Sequence, residues 1–292
     1  MTAPGGPGGV FVPDLLAGHV AFVTGGGSGI GYGISECLAS AGADLMLFSR
    51  NAERLAGAAE RLESTCGGRV ATFAGDVREP EALKSAMEET RERFGRVDVL
   101  VNNAAGNFYA RTETLSANAW RAVVEIDLFG TFYACQAAFP IMSEQRHGRI
   151  VSTSMTLHYR GWPLMAHATA AKAGVDALTR TLSLEWARHG ITVNAVAPGP
   201  IPTEAVKIAF AEPAGGPPDP SGKRAHDASA TAFIPAGRVG TPTDIGNMVT
   251  YLVSPAGSWI TGQIMVVDGG ESLASPRTIP EPETRSNEGE DN

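Results

Sequence analysis

The feature that most constrains the fold is an apolar stretch that runs directly into a glycine-rich turn. Residues 20–33 read Val-Ala-Phe-Val-Thr-Gly-Gly-Gly-Ser-Gly-Ile-Gly-Tyr-Gly. The apolar part predicts a buried strand, and Ile30 to Leu38 predict the start of a helix. Gly25 and Gly29 let the backbone approach a phosphate, and Gly31 lets the helix pack closely on the strand. The stretch therefore predicts a nucleotide-binding turn, with a flexible turn that binds nothing as the plainer interpretation.

The rest of the chain alternates between strand patterns and helix patterns. About seven strands, each reached through a helix, predict a parallel sheet covered on both faces, which is an α/β fold. A length of 292 residues suits one such domain. Strands are predicted at 44–49, 69–73, 97–101, 149–153, 191–195 and 264–267, and helices at 51–64, 80–94, 117–138, 167–189 and 241–253.

Charge and cysteine content limit the function classes. The formal net charge is -8, but residues 279–292 hold five acidic residues and one basic residue. The body is therefore only mildly acidic, which argues against a nucleic-acid partner. The three cysteines are far apart, so neither a disulfide framework nor a metal site is predicted, and a cytoplasmic location fits.

Both ends of the chain differ in composition from its body. Residues 1–14 begin with a run rich in glycine and proline and predict a flexible segment, and residues 275–292 predict a disordered acidic tail. No secretory signal pattern and no apolar run near the roughly 20 residues of a membrane helix is evident. We therefore expect a protein without a membrane partner.

Six motifs stand in the order and spacing of one enzyme family, and the chain resembles the short-chain dehydrogenases/reductases over residues 15–272. The resemblance implies a Rossmann-type doubly wound sheet in a single domain at 15–274, a nicotinamide cofactor at the carboxyl ends of the strands and usually a homotetramer. The motifs are Thr24-Gly-Gly-Gly-Ser-Gly-Ile-Gly31, Asp76-Val77, Asn102-Asn103-Ala104-Ala105-Gly106, Lys172, Pro198-Gly199 and Asp268-Gly269-Gly270.

The choice of cofactor can be argued from the end of the second strand. An NAD site commonly places an acidic residue there to bind the ribose hydroxyls. This chain has Ser49-Arg50 instead, and Arg50 favours the 2′-phosphate of NADPH through charge-assisted hydrogen bonds. The plainer interpretation is a solvated arginine. The resemblance assigns further cofactor contacts to Gly25, Gly27, Ser28, Gly29, Ile30, Gly31, Asp76, Val77, Asn103, Ala104, Lys172, Pro198, Gly199, Ile201 and Thr203.

The catalytic positions depart from the usual family pattern. Most members use a serine, a tyrosine four residues before the lysine, and an asparagine on the long central helix. Here Lys172 is present, but the other three positions hold Met155, Ala168 and Asp127. A thioether and a methyl group cannot donate a proton to an oxyanion. Ordinary ketone reduction is therefore disfavoured.

A second resemblance accounts for the missing tyrosine. The chain is similar to the 2,4-dienoyl-CoA reductases, and above all to their peroxisomal branch, which also lacks it. The mitochondrial branch uses a tyrosine fifteen residues before the lysine, where this chain has Leu157. The segments that carry the resemblance are Asn103-Ala-Ala-Gly-Asn-Phe108, Ser116-Ala-Asn-Ala-Trp120, His167-Ala-Thr-Ala-Ala-Lys172 and Ala197-Pro-Gly-Pro-Ile201.

This resemblance implies roles for the site residues. Asn107 donates its amide to the thioester oxygen, and Lys172 holds the nicotinamide ribose. Apart from the resemblance, we predict that Asp127 supplies the proton through water, because burial beside a low-dielectric cavity would raise its pKa; the alternative is an ionised structural partner of Lys172, whose ammonium would lower that pKa. Candidate substrate contacts are Arg78, Phe108, Ser116 and Tyr159, of which Tyr159 is also a candidate acid.

The predicted function is NADPH-dependent reduction of a conjugated acyl-CoA thioester, with hydride added to the far end of a diene. The alternatives are a trans-2-enoyl-CoA reductase, a 3-oxoacyl-type or sugar-type ketoreductase, and a catalytically silent, cofactor-binding scaffold. Residues 204–237 are interrupted by glycine and proline, and the family places a substrate lid there. An ordinary disordered insertion is the alternative interpretation of that segment.

Overall fold

Seven parallel strands form one sheet in the described part of the chain, residues 10–203 and 234–274 of the computed structural model. The strand order is β3-β2-β1-β4-β5-β6-β7. The strands are β1 Val20–Thr24, β2 Asp44–Ser49, β3 Val70–Ala74, β4 Val99–Asn102, β5 Gly148–Thr153, β6 Ile191–Pro198 and β7 Ile264–Val267. The helices are α1 Gly29–Ser40, α2 Ala52–Cys66, α3 Pro80–Phe94, α4 Ala117–Val124, α5 Gly130–Gln145, α6 Ala166–Trp186 and α7 Pro242–Val253.

Helices cover both faces of the sheet and form two apolar cores. One core packs α1, α2 and α7 against the sheet, and the other packs α3 and α5 against the opposite face. The α1–α7 contact is close because Gly33 has no side chain: a Cβ there would lie 2.3 Å from the Cβ of Pro242. The doubly wound parallel sheet predicted from the sequence is confirmed.

Local capping explains several helix starts. Asn51 accepts a hydrogen bond from the Arg54 amide at 2.8 Å, as the predicted cap of α2 requires. Thr241 and Asp244 form a reciprocal capping box at the start of α7. Both helices begin within one residue of their predicted starts.

The long helix predicted over 117–138 is present as a continuous helical stretch, but it contains a π-helical segment. Helix α4 ends at Val124, Glu125–Phe129 form a π-helical segment, and α5 continues to Gln145. An extra residue in a turn breaks the 3.6-residue register, which an apolar pattern alone does not show. Such bulges occur frequently at functional sites, and this one carries Asp127.

The expectation about apolar runs also needs a correction. Residues 117–145 form a helical stretch that is long and apolar enough, by length and composition alone, to cross a membrane. The π-helical segment interrupts this stretch, which packs against α3, α6 and the sheet. Length and composition are therefore weak support for a membrane span here.

Several predicted segments lie outside the described residues. These are the first nine residues, residues 204–233 and residues 275–292. The flexible amino-terminal segment, most of the proposed lid and the acidic tail therefore stay predictions.

Candidate active site

The glycine-rich turn has the geometry of a ligand cradle. Gly25 and Gly29 adopt positive φ angles of 67° and 55°, a region that favours glycine. A Cβ on Gly31 would lie 2.2 Å from the Gly25 carbonyl oxygen, so only glycine lets α1 lie this close to the turn. The Ser28 side chain does not cap the first turn of α1, which leaves those amides available to an anion.

Neighbouring strand ends hold the cradle in place. The Thr24 hydroxyl accepts hydrogen bonds from the amides of Asn103 and Ala104 at 2.9 and 3.1 Å. The Asn103 side chain donates to the carbonyls of Thr24 and Gly25 at 3.3 and 3.4 Å. Asn103 is therefore a structural support of the turn, in addition to its predicted place beside the adenosine.

The loop after β6 forms the opposite side of the cleft. A Cβ on Gly29 would lie 3.4 Å from Thr203, so this loop meets the glycine-rich turn. Gly199 fits closely beside Asp268, where a Cβ would lie 2.6 Å from the aspartate Cβ. The structure thus brings the predicted carboxamide loop, with Pro198 and Ile201, to the same cleft as the phosphate turn.

Two arginines lie at the ends of β2 and β3. Arg78 pairs with Asp76 at 2.6 Å, and this hydrogen-bonded pair lowers the pKa of Asp76. Arg50 is exposed and near enough to lower the Asp76 pKa further. Arg78 is therefore ion-paired, and Arg50 makes no hydrogen bond within the described chain. The Val77 side chain is buried against Gly130, so any cofactor contact of Val77 falls to its backbone.

Lys172 and Asp127 form a buried pair at the centre of the cleft. The Lys172 Nζ donates to the Thr153 carbonyl at 2.8 Å and lies 3.6 Å from Asp127 Oδ2. Asp127 is 1% exposed, and its Oδ1 accepts the Gly106 amide at 2.8 Å. Burial raises the Asp127 pKa, while the Lys172 ammonium opposes that effect. Both interpretations of Asp127 thus have a structural basis, and the direction of the pKa shift favours the proton donor.

Asn107 and Phe108 lie one and two residues after the amide that binds Asp127. Asn107 Oδ1 accepts the Phe108 amide at 2.8 Å, which orients the side chain. Within the described chain no hydrogen bond engages its Nδ2. Phe108 is half-buried and packs edge-on against His167, with ring centroids 4.6 Å apart. Asn107 can therefore donate from Nδ2 to a ligand.

The positions that lost the usual catalytic groups lie together. Ala168 and Met165 form an apolar cluster with Phe108 and Met155. Tyr109 also packs in this cluster. The hydroxyl of Ser154, the residue before Met155, donates to Asp176 at 2.6 Å. This wall of the cleft is apolar.

A buried polar network behind this wall was missed by sequence analysis. Asp176 accepts from Ser154 and also contacts His158 Nε2 at 2.8 Å. It joins the loop after β5 to α6, and nothing in the spacing of the three residues indicates it.

Two other predicted contacts have ordinary structural roles. Ser116 caps α4 by accepting the Ala119 amide at 3.2 Å. Tyr159 is 46% exposed, and partial burial together with Asp176 raises its pKa. A raised pKa makes the phenol a weaker acid, which disfavours Tyr159 as the proton donor. Whether either residue borders a substrate stays a prediction.

The arrangement fits a nicotinamide dinucleotide. The turn has glycines at positive φ, the first amides of α1 have no side-chain cap, and Lys172 is held by the carbonyl at the end of β5, as a dinucleotide site requires. No cluster of metal-ligating side chains is present among residues 10–203 and 234–274.

Comparisons with known proteins agree with this geometry. The profile of a family described as "Enoyl-(Acyl carrier protein) reductase" matches residues 25–272. The chain is 44% identical to the Danio rerio "Peroxisomal 2,4-dienoyl-CoA reductase [(3E)-enoyl-CoA-producing]", covering 92% of this chain and 87% of the relative. It is 38% identical to the Bacillus subtilis "Probable 2,4-dienoyl-CoA reductase [(2E)-enoyl-CoA-producing]", covering 86% of this chain and 95% of that relative.

A solved structure supports the same assignment. A short chain dehydrogenase from Bacillus anthracis aligns with a TM-score of 0.76 and 37% identity, over 90% of this chain and 99% of that one. The sheet order, the glycine cradle and these matches agree. The chain belongs to the short-chain dehydrogenase/reductase family.

Proposed function

We propose that the protein is an NADPH-dependent 2,4-dienoyl-CoA reductase. The observation that carries the proposal is the buried Asp127–Lys172 pair beside an apolar wall where the usual tyrosine is absent. Relatives that are 38–44% identical are named 2,4-dienoyl-CoA reductases, which supports the same activity here. A ketone reductase would need a proton donor where Ala168 stands.

Three side chains, Asn107, Lys172 and Asp127, have proposed roles in the reaction. The bound nicotinamide cofactor would supply the hydride that a dienoyl thioester takes up at C5. Negative charge then reaches the thioester oxygen, where Asn107 Nδ2 stabilises it by a hydrogen bond. Lys172, held by the Thr153 carbonyl, binds the nicotinamide ribose and adds a positive field. Asp127 then gives its proton to carbon.

We further propose that the proton goes to C2, which gives a (3E)-enoyl product. Asp127 is tied to the Gly106 amide, and Gly106 precedes the proposed oxyanion donor Asn107. This tether keeps the acid near the thioester end of the diene. The 44% identical relative is named as (3E)-enoyl-CoA-producing and the 38% identical one as (2E)-enoyl-CoA-producing, so the names alone leave the product open.

Arg50 supports the choice of NADPH. It stands at the end of β2 without a hydrogen-bonded partner in the described residues, so its guanidinium is free for a 2′-phosphate. No acidic residue follows β2 directly to repel that group.

We also propose a homotetramer in the cytoplasm. Large apolar side chains are exposed around the edge strand β7, including Trp259 at 98% and Leu273 at 88%, as a contact surface between copies would require. The three cysteines are free, which suits a reducing compartment. Light scattering on the purified protein and cell fractionation test the two statements.

The deciding experiment compares three thioesters of equal chain length: a 2,4-dienoyl-CoA, a trans-2-enoyl-CoA and a 3-oxoacyl-CoA. We expect NADPH consumption with the diene to exceed that with the 3-oxoacyl-CoA by at least about 100-fold, because Ala168 stands where a ketone reductase has its proton-donating tyrosine. Greater consumption with the trans-2-enoyl-CoA than with the diene would instead identify an enoyl-CoA reductase. Run in D2O, the reaction should place deuterium at C2 by NMR. Preference for the oxo substrate would reject the proposal, and no turnover of any of the three would favour a cofactor-binding scaffold.

A further inference from the structure

A buried aspartate one helical turn beyond Lys172 has no role in the mechanism above. Asp176 is 2% exposed and lies four residues after Lys172 on α6, so the two side chains project from the same face of the helix. Its Oδ1 accepts a hydrogen bond from the Ser154 hydroxyl at 2.6 Å, and its Oδ2 contacts His158 Nε2 at 2.8 Å. Both oxygens of Asp176 therefore have a partner on the loop that follows β5.

Two successive residues at the end of β5 are bound by two successive turns of α6. The Thr153 carbonyl accepts a hydrogen bond from Lys172 Nζ at 2.8 Å, and the Ser154 hydroxyl donates to Asp176. The sheet already fixes the backbone here, because the Ser154 amide donates to the Val196 carbonyl at 2.7 Å. The Asp176 contacts thus fix α6 relative to the end of β5, and with it the place of the Lys172 ammonium.

His158 brings the loop after β5 back to the same carboxylate. It lies in a short 3-10 turn, its side chain is 10% exposed, and its ring packs against that of Tyr159 with centroids 4.3 Å apart. Met155 and Leu157 lie between the two residues that contact Asp176, and both belong to the apolar cluster of the cleft wall. One carboxylate therefore holds both ends of the segment that carries these two apolar side chains.

The distance between the Lys172 ammonium and Asp127 is the property that these contacts would control. The Lys172 Nζ lies 3.6 Å from Asp127 Oδ2, and both side chains are buried. A cation held this close lowers the pKa of a carboxyl group, whereas a cation that moves away does so much less. The other titratable or charged groups near the Asp127 and Asp176 carboxyl groups are His167, His158, Tyr159 and Arg180.

We propose that Asp176 is a positioning residue for the reaction, which holds α6 to the loop after β5 so that Lys172 stays beside Asp127 and the nicotinamide ribose. This inference rests on the proposed reductase function, in which Lys172 binds that ribose. Asp176 takes no part in proton transfer and acts through the Thr153 carbonyl and Lys172. Without its contacts to the loop, α6 and the end of β5 separate, and the ammonium loses the carbonyl that holds it.

The titration of Asp127 tests this role without cofactor or substrate. 13Cγ labelling of aspartate, with Asp127→Asn for assignment, identifies the Asp127 signal in NMR spectra. In Asp176→Ala we expect the titration midpoint to rise by about one pH unit or more, because a nearby cation lowers a carboxyl pKa by about 1–3 pH units. Loss of the Asp176 negative charge alone would move the midpoint down. An unchanged or lowered midpoint would overturn the proposal.

Three further variants separate positioning from a general loss of stability. Asp176→Asn keeps an acceptor for the Ser154 hydroxyl and should restore most of the wild-type midpoint. Ser154→Ala removes one of the two contacts and should raise the midpoint by less than Asp176→Ala; if Asp176→Ala does not fold, an unchanged midpoint in Ser154→Ala overturns the proposal. Ser183→Ala is the matched control, since it removes a buried hydroxyl that donates to the Arg180 carbonyl at 2.7 Å within α6. An equal rise in that control would assign the effect to lost stability.

Kinetics distinguish failure of this proposal from failure of the proposed function. In Asp176→Ala, kcat for the dienoyl-CoA should fall about 10–100-fold, because a misplaced Lys172 no longer orients the cofactor. Its decline with rising pH should begin at a higher pH than in the wild type. An unchanged kcat beside an active wild type would overturn the positioning role. A wild type that binds NADPH without turning over the dienoyl-CoA would reject the proposed function, and the titration would still decide whether Asp176 positions Lys172.

Discussion

Two buried aspartates on opposite sides of the molecule have opposite environments. Asp98 lies before β4 at the amino end of the sheet, is fully buried, and accepts hydrogen bonds from the Val20 amide and from two nitrogens of Arg96 at 2.6–2.9 Å. Asp127, at the carboxyl end, has one hydrogen bond, from Gly106, and an ammonium at 3.6 Å.

The difference indicates that Asp98 contributes to the stability of the fold and that Asp127 is available for proton transfer. Hydrogen bonds to both oxygens of Asp98 hold Arg96 and tie β1 to the residue before β4. A carboxyl group with few donors keeps its proton more easily, and burial accordingly raises the Asp127 pKa. Substitutions at the amino end should therefore change stability, and those at the carboxyl end should change activity.

The largest expected effect is that of Asp127→Asn on turnover. We expect kcat for the dienoyl-CoA to fall about 10²–10⁴-fold, because an amide cannot donate the proton. Wild-type kcat should fall as pH rises through the raised Asp127 pKa, since only the protonated acid donates, and the variant should lack this dependence. An NADPH assay across pH measures both, and an unchanged profile with intact NADPH binding would show that Asp127 is not the donor.

The same variant tests the stability side of the comparison. Because the folded-state pKa of Asp127 is raised above the unfolded value, its contribution to stability is present at low pH and is lost as pH rises through the folded pKa. At pH 7 Asp127→Asn should therefore leave the Tm equal or higher. A clear drop in Tm would mean that Asp127 is a structural ion-pair partner of Lys172.

The next largest effect is that of Asp98→Ala on unfolding. We expect the free energy of unfolding in urea to fall by about 3 kcal/mol, because the Val20 amide loses its partner and Arg96 loses a bidentate carboxylate. The kcat per folded molecule should stay within about twofold of wild type, since the site lies at the other end of the sheet. A large fall in kcat per folded molecule would show that Asp98, at the amino end of the sheet, also affects catalysis at the carboxyl end.

Arg50→Asp should produce a smaller effect, confined to cofactor choice. One charge-assisted contact is worth about 1.5–3 kcal/mol, so KM for NADPH should rise about 10–150-fold, while KM for NADH should stay equal or fall because an acidic residue there can bind the ribose hydroxyls, and the Tm should stay unchanged. Lys84→Asp, an exposed position on α3 with the same charge change, is the control. Equal KM changes in the two variants would mean that Arg50→Asp acts through the net charge of the protein and not through a contact with the 2′-phosphate.

The smallest effect is expected at His147, beside Asp98 at the amino end. Burial lowers the His147 pKa, and Arg149 lowers it further. The unfolded chain therefore binds this proton more readily, and stability is lost as pH falls below about 6.5 toward the folded pKa. His147→Gln should make the free energy of unfolding less dependent on pH between 7 and 5, by at most about 1 kcal/mol. A larger acid sensitivity in the variant would contradict this sign.

Local sequence information was enough for most of the fold. The apolar strands, the caps at Asn51 and Thr241 and the glycine turn are features of neighbouring residues, and each appears where the pattern predicts it. The departures from the family pattern at Met155, Ala168 and Asp127 are also visible in the linear order, so the prediction that ordinary ketone reduction is disfavoured needed no coordinates.

The sequence by itself determined the α/β class, the cofactor cradle and the residues available for catalysis, because short-range spacing encodes strands, turns and caps. The tertiary structure decided how those residues are charged and partnered: the π-helical segment, the contacts of Asp127 with Gly106 and Lys172, and the Asp176 network. Each depends on burial and on contacts between residues 18 to 45 positions apart in the chain, or on a changed helical register. Proton affinity is set by that environment, which no local pattern records.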